Sequence, residues 1–146
     1  MNMRSYQAQD FEGCVGLFID VFNAAPWNNE WTNSVATTFI SDLTQTPGFR
    51  AFVALDEEGT INGVMLGRVK HWWRGQEYYI DEFYVKSSVQ GQGIGTRLLD
   101  FASENLKTDG IHNIVLLTDE RTPAYSYYLK RGYQEFSSIK FLHKGL

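Results

Sequence analysis

The sequence predicts an α/β fold: a mixed, mostly antiparallel sheet flanked by helices, in the order β-α-α-β-β-β-α-β-α-β. Three observations carry that expectation. Residues 50–85 contain three strand-like runs separated by tight, glycine-bearing turns, the signature of an antiparallel meander. Three other stretches repeat apolar residues at helical spacing, and Pro123 opens a fourth helix. A helix-like run between two strand-like runs then follows the meander, which calls for a parallel crossover and so for a mixed sheet with helices on both faces.

The elements follow in order. Met3–Tyr6 reads as a short first strand. Asp10 is placed to cap a helix running to about Asn23, with Phe11, Val15, Phe18, Ile19 and Phe22 on one face. Pro26-Trp27-Asn28-Asn29-Glu30-Trp31 breaks the periodicity and reads as a loop. Ser34 can cap a second helix, with Val35, Phe39, Ile40 and Leu43 inward, ended by Thr46-Pro47-Gly48. Arg50–Leu55, Ile61–Trp73 and Glu77–Val85 are the meander strands, joined at Asp56–Gly59 and Arg74-Gly75-Gln76. By strict alternation Tyr78 and Tyr84 share a face with Glu82, and Asp81 takes the other face. A helix to about Lys107 follows, with Ile94, Leu98, Phe101, Ala102 and Leu106 inward and Gly110 at its end. Ile111–Thr118 reads as a buried strand, Pro123 opens a helix ending near Gly132, and Glu135–His143 completes the order as a last strand. No repeat or linker divides residues 1–146, so one domain is expected.

Charge narrows the function. The net charge of −4 disfavours nucleic acid as the main partner. Residues 1–85 carry eleven acids and five bases, whereas residues 86–146 carry six acids and eight bases. The second part therefore tolerates an anion and the first suits a cation; a solvated surface accounts for the same asymmetry. Aromatic residues make up 15% of the chain, which fits a lined pocket as well as a core. The polar N-terminus reads as no signal peptide, and no apolar run reaches the roughly 20 residues that span a bilayer. A single Cys14 excludes an internal disulfide framework and fits a reducing cytoplasm. It lies on an apolar helix face, where packing explains it. His71, His112 and His143 lack metal-ligand spacing, so no metal is expected.

The most informative stretch is Gln90-Gly91-Gln92-Gly93-Ile94-Gly95-Thr96, between a strand and a helix. Glycines at alternate positions let backbone amides approach an anion, and the positive end of the following helix favours negative charge there. A Walker loop needs a lysine before the hydroxyl residue, and Gly95-Thr96 has none. A dinucleotide fingerprint needs its first glycine directly after the strand and a third glycine where Thr96 stands. A purely structural turn is the remaining local reading.

Gln90-x-x-Gly93-x-Gly95 resembles the Q/R-x-x-G-x-G/A signature of the GNAT family of N-acetyltransferases. Phe83-Tyr84-Val85 before it is similar to the family's preceding strand, and Ala124-x-x-Tyr127-Tyr128-x-x-x-Gly132-Tyr133 resembles its A-x-x-F-Y-x-x-x-G-F. The resemblance implies a GNAT-type fold and acetyl-coenzyme A as co-substrate. Backbone amides of Gly91, Gln92, Gly93, Ile94, Gly95 and Thr96 would hold its pyrophosphate, with Gln90 bracing the loop. Phe83, Tyr84 and Val85 would lie along the pantetheine arm, which pairs with the strand edge. The Val85 N–H would then face the reacting carbonyl oxygen. Tyr128 resembles the family's general acid. On reference values, full proton transfer from a tyrosine to a thiolate is uphill by roughly 2 kcal/mol, so a strong hydrogen bond or late transfer suffices.

Glu82 is the candidate base for the acceptor amine, directly or through water; attraction of a cation or an ion pair are its other readings. Trp27, Glu30 and Trp31 suit an organic cation, and stapling of the two helices explains them equally. The expected activity is direct transfer of acetyl to a primary amine of a small cationic molecule, polyamine- or aminoglycoside-like. A protein or peptide amine is the alternative acceptor, and a non-catalytic acyl-coenzyme A sensor the alternative class. A cytoplasmic protein without membrane attachment is expected, with a homodimer left open.

Overall fold

The computed structural model describes all of residues 1–146 and divides into two units, Met1–Leu116 and Leu117–Leu146. The first contains β1 (Asn2–Ser5), α1 (Phe11–Phe22), α2 (Asn33–Thr44), β2 (Phe49–Leu55), β3 (Ile61–Trp72), β4 (Gly75–Val85), α3 (Ile94–Thr108) and β5 (Asn113–Leu116). The strands form one sheet in the order β1-β2-β3-β4-β5. Every neighbouring pair is antiparallel except β4–β5, which is parallel, as the crossover through α3 requires.

Alternation along the strands divides the core between two faces. Ala51, Val53, Val64, Leu66 and Tyr84 meet Cys14, Val15, Phe18, Ala36 and Ile40 of α1 and α2. The opposite face carries Phe52, Met65 and Tyr78, and α3 packs there, with the Phe101 ring edge-on to Phe52 at 6.1 Å. α3 packs directly over Gly63, where a Cβ would stand in ordinary contact, 3.4 Å, with Ile94 and Leu98. Tyr84 ties α1 to the sheet by donating its hydroxyl to the Cys14 carbonyl at 2.9 Å.

Two helix starts differ from expectation. Thr32, not Ser34, caps α2, its Oγ1 accepting from the Val35 N–H at 3.2 Å. This start leaves Val35 55% exposed and turns Ala36 and Ile40 inward. Asp10 does not cap α1 with its side chain. Its carboxylate, 5% exposed, accepts from the Gln7 N–H at 2.7 Å and from both terminal nitrogens of Arg4 at 2.7 and 2.9 Å. The pair fastens β1 to the turn that opens α1. Trp73 lies beyond the end of β3, in the hairpin turn, with the Arg74 guanidinium 4.4 Å from its ring centre.

The second unit contains α4 (Pro123–Lys130), with proline in its first turn as the sequence predicts. Glu135–His143 does not form the expected strand, and no strand occurs after Leu116. Phe136, Ile139, Phe141 and Leu142 are instead 69–87% exposed. Apolar patterning can assign a face, but a strand exists only where neighbouring backbone takes up its N–H and C=O groups. All five members of the sheet belong to the first unit. No helix is long and apolar enough to cross a membrane.

Asp10 makes the fold acid-sensitive. Its hydrogen bonds with Arg4, opposed by burial, hold its carboxyl below the ordinary carboxylate range. The stabilisation is complete above the unfolded value of about 3.9 and is lost as pH falls through the lower folded value. Asp10→Asn is expected to cost roughly 3 kcal/mol at neutral pH and to flatten the acid limb of stability. Urea-denaturation midpoints measured from neutral to acid pH check both.

Candidate active site

The site is built around one irregularity in β4. Leu66 pairs with Glu82, but Gly67 pairs with Ile80, so Asp81 is an extra residue opposite no residue of β3. Such a bulge breaks the period of two. Glu82 and Tyr84 share the face of Leu66 and Val64, as expected. Tyr78 pairs with Val69 and lies on the opposite face, which corrects the expectation that it accompanies Glu82; Tyr79, paired with Arg68, takes that place. Asp81, predicted on the face opposite Glu82, is the unpaired residue of the bulge.

Gly67 permits this arrangement. A Cβ there would lie 2.5 Å from Cζ and Oη of Tyr78 and from the Tyr79 carbonyl oxygen. The Tyr78 ring is fully buried over that glycine, and its hydroxyl donates to the Arg50 carbonyl at 2.7 Å. A glycine inside the strand pattern, Gly67, is the sequence signal by which the bulge could have been found.

The bulge also ends pairing with β5. The last β4–β5 pair is Ile80 with Leu116, so Asp81–Val85 have no strand partner on that edge. Lys86 N–H donates to the Asn62 carbonyl at 2.8 Å across β3. Alternation then directs the N–H groups of Phe83 and Val85 away from β3, toward the open edge. The Val85 carbonyl faces the same edge and accepts from Gln90 Nε2 at 2.9 Å. Gln90 thus ties the loop to the end of β4 while the Val85 N–H stays directed outward. The side chains of Phe83 and Val85 are half-buried.

A single turn at Ser87–Val89 leads from β4 into the glycine loop. Gly91 and Gly93 both have φ of +79°, a left-handed conformation that L side chains rarely adopt. Nothing stands within 4 Å of the position a Cβ would occupy on either. Gly93 is the N-cap of α3 and offers no side-chain cap; the Arg97 N–H bonds back to its carbonyl. Helix geometry leaves the amides of Ile94 and Gly95 without an intrahelical acceptor, at the positive end of a 15-residue helix. Open space, outward amides and a favourable dipole make a cradle for phosphate oxygens.

Glu82 is half-buried on the α1 face. Burial, and then the negative charge of Asp81, raise its carboxyl to about 7. It is therefore divided between acid and base forms near neutral pH, the condition that suits proton exchange. Cys14 is unsuited to covalent work, since burial pushes its thiol up to about 12 and keeps it protonated.

The loop between α1 and α2 divides its residues. Trp31 belongs to the core, stacked on Phe39 at 5.2 Å and edge-on to Phe18 at 4.9 Å. Trp27 is 37% exposed and rests on Phe22 at 5.5 Å, and Phe22 in turn meets Tyr84 at 5.7 Å. Glu30 is exposed. In the second unit, Tyr128 is 8% exposed on α4 and packs edge-on against Tyr127 and Tyr133. Gly132, with φ of +87°, turns the chain after α4, and the Tyr133 N–H returns to the Tyr128 carbonyl at 3.1 Å. This explains the spacing Tyr128-x-x-x-Gly132-Tyr133 in physical terms.

The profile of the Acetyltransferase (GNAT) family matches residues 14–133. The chain belongs to this family. A mycothiol acetyltransferase of Arthrobacter sp. (strain FB24) is 30% identical over 135 residues, 89% of this chain and 41% of that protein. N-alpha-acetyltransferase 30 of Schizosaccharomyces pombe is 30% identical over 96 residues, 65% of this chain and 63% of that protein. The chain thus spans less than two thirds of the length of either curated relative. Among solved structures, an integron cassette protein of V. cholerae superposes with a TM-score of 0.81 at 15% identity, covering 99% of this chain and 91% of that one. The aminoglycoside N-acetyltransferase AAC(6')-Iy bound to coenzyme A superposes with a TM-score of 0.76 at 15% identity, over 98% of this chain and 93% of that one. These likenesses establish the GNAT fold. The family uses acetyl-coenzyme A, and the cradle at Gly91–Gly95 fits a pyrophosphate.

Two substitutions test the geometry. Gly93→Val in this GNAT protein should abolish acetyl-coenzyme A binding, read by calorimetry, with the circular dichroism of a folded chain retained. Gly67→Ala should lower stability by roughly 1–3 kcal/mol, read from denaturation midpoints, because Tyr78 and the bulged backbone cannot both retreat.

Proposed function

We propose that this protein transfers acetyl from acetyl-coenzyme A directly to a primary amine of a small cationic molecule, polyamine- or aminoglycoside-like, and that residues 1–146 act as one N-acetyltransferase domain. The observation that carries the reading is the open edge of β4 ending at a glycine cradle on the N-terminus of α3. Acetyl-coenzyme A supplies an activated thioester when bound. Gly91, Gln92, Gly93, Ile94, Gly95 and Thr96 present backbone amides to its phosphates, and Gln90 holds that loop against Val85. Phe83, Tyr84 and Val85 give the pantetheine arm a strand edge to pair with. The Val85 N–H donates to the carbonyl oxygen as negative charge develops there.

Glu82 takes the proton that the acceptor ammonium must lose before its nitrogen attacks. Tyr128 gives a hydrogen bond, and then its proton, to the departing thiolate. Trp27 and Glu30 lie on the acceptor side, an aromatic face and a charge suited to a cation. Trp31 supports them from the core through Phe18 and Phe39. A cationic acceptor is supported by the acidic balance of residues 1–85 and by two adjacent carboxylates at Asp81 and Glu82. The likeness to an N-alpha-acetyltransferase favours a second acceptor, the amine of a peptide or protein.

Release of free thiol from acetyl-coenzyme A, followed with polyamines, aminoglycosides and short peptides in parallel, decides the acceptor. Turnover on peptides alone rejects the small-cation reading. Tight cofactor binding with no turnover on any amine rejects catalysis. Tyr128→Phe should lower kcat about 10- to 100-fold with little change in acetyl-coenzyme A affinity. An unchanged kcat removes Tyr128 from the acid role.

A further inference from the structure

Three arginines of this chain are half-buried: Arg4, Arg50 and Arg68. Arg4 is held by Asp10 and Arg50 by Asp109, each at 2.7 Å. Arg68 makes no ion pair and no hydrogen bond; its guanidinium lies 4.9 Å over the Tyr79 ring. Lys70 also stands over that ring, at 5.5 Å, but its ammonium is engaged by Glu77 at 3.8 Å. Asp81 feels the charge of Arg68 without forming an ion pair with it. A ring face attracts a guanidinium but leaves its five N–H donors unused, and a charge drawn partly out of water is ordinarily paired.

Arg68 belongs to the candidate active site. It lies two residues along β3 from Leu66, on the same face, and pairs with Tyr79 as Leu66 pairs with Glu82. Arg68 and Glu82 are thus diagonal neighbours, with roughly 7–8 Å between their backbones, a span that long side chains bridge. Tyr79 directly precedes Ile80, the last residue of β4 paired with β5, so Arg68 stands beside the opening of the strand edge. We propose that Arg68 determines acceptor specificity: it receives a carboxylate of the acceptor while an amine of the same molecule meets Glu82. The acceptor is then a small amine that also carries a carboxylate, as a basic amino acid does. This rests on the reading of the protein as a transferase for small cationic amines, and narrows it. The planar fork of a guanidinium matches a carboxylate through two parallel hydrogen bonds. The Tyr79 ring holds that fork in place beforehand, so little freedom is lost on binding. The acidic balance of residues 1–85 disfavours a purely anionic ligand, and a purely cationic one would leave Arg68 facing like charge. A molecule with both signs satisfies Glu82 and Arg68 together.

Matched acceptors test this. Thiol release from saturating acetyl-coenzyme A is measured in the full chain with lysine against cadaverine and ornithine against putrescine, pairs that differ only by the carboxylate. The amino acid of each pair should show kcat/KM about 10-fold or more above its diamine. Arg68→Met should raise KM for lysine and ornithine by about that factor with kcat little changed, and so remove most of the preference. Arg68→Lys keeps the charge but not the fork, and should retain part of it. Diamines used as well as or better than the amino acids overturn the inference and leave the small-cation reading standing. A preference that Arg68→Met leaves intact overturns Arg68 as its cause. A loss in Arg68→Met shared equally by amino acids and diamines marks a structural role and overturns it too. Turnover of none of the four acceptors overturns the small-cation reading, and this inference with it.

Discussion

The register shift of β4 opposite Gly67 is the constraint on which the rest of the site depends. The absence of a Cβ at Gly67 lets the Tyr78 ring pack against β3, next to the point where β4 carries one extra residue. Past this point β4 changes phase. Its side chains exchange faces relative to simple alternation, so Glu82 and Tyr84 lie under α1 while Phe83 and Val85 lie on the α3 side. At the same residue the parallel pairing with β5 stops. A single packing event therefore supplies an unpaired strand edge, an outward amide at Val85 and a half-buried carboxylate.

The glycine loop completes the site by a different principle. Its shape rests on what is missing: no Cβ at Gly91 or Gly93, and no capping side chain at the start of α3. An ordinary helix start satisfies its free amides with a serine, threonine or aspartate, as Thr32 does for α2. The start of α3 has no such capping side chain, which costs the isolated protein some stability. Gln90 compensates in part, because its hydrogen bond to Val85 fixes the loop to the strand without using the amides.

Electrostatics follow from the same geometry. Burial alone raises the proton affinity of a carboxyl group, and a like charge beside it raises it further. Glu82 experiences both. Asp10 shows the opposite outcome within the same unit, where bidentate hydrogen bonds from Arg4 outweigh burial and hold the carboxyl low. Asp10 is held chiefly by its arginine and Glu82 is raised chiefly by burial, and that difference separates a structural carboxylate from one able to exchange protons near neutral pH.

Much of this was legible in the sequence. The meander, the buried faces of α1 and α3, the proline opening α4 and the glycine loop were all visible, because each depends on local periodicity or on residues with restricted backbone conformations. The family resemblance rested on the loop and on Tyr128-x-x-x-Gly132-Tyr133, and both are explained by positive φ at glycine and the turns it allows. The last strand was misread, because Glu135–His143 has strand-like composition but no paired backbone. The places of Tyr78, Asp81 and Trp31 were not legible either. Local sequence determined the helices, the meander and the glycine loop; only the tertiary structure decided the phase of β4 past Gly67, because that phase depends on how Tyr78 packs against a glycine eleven residues away in the chain.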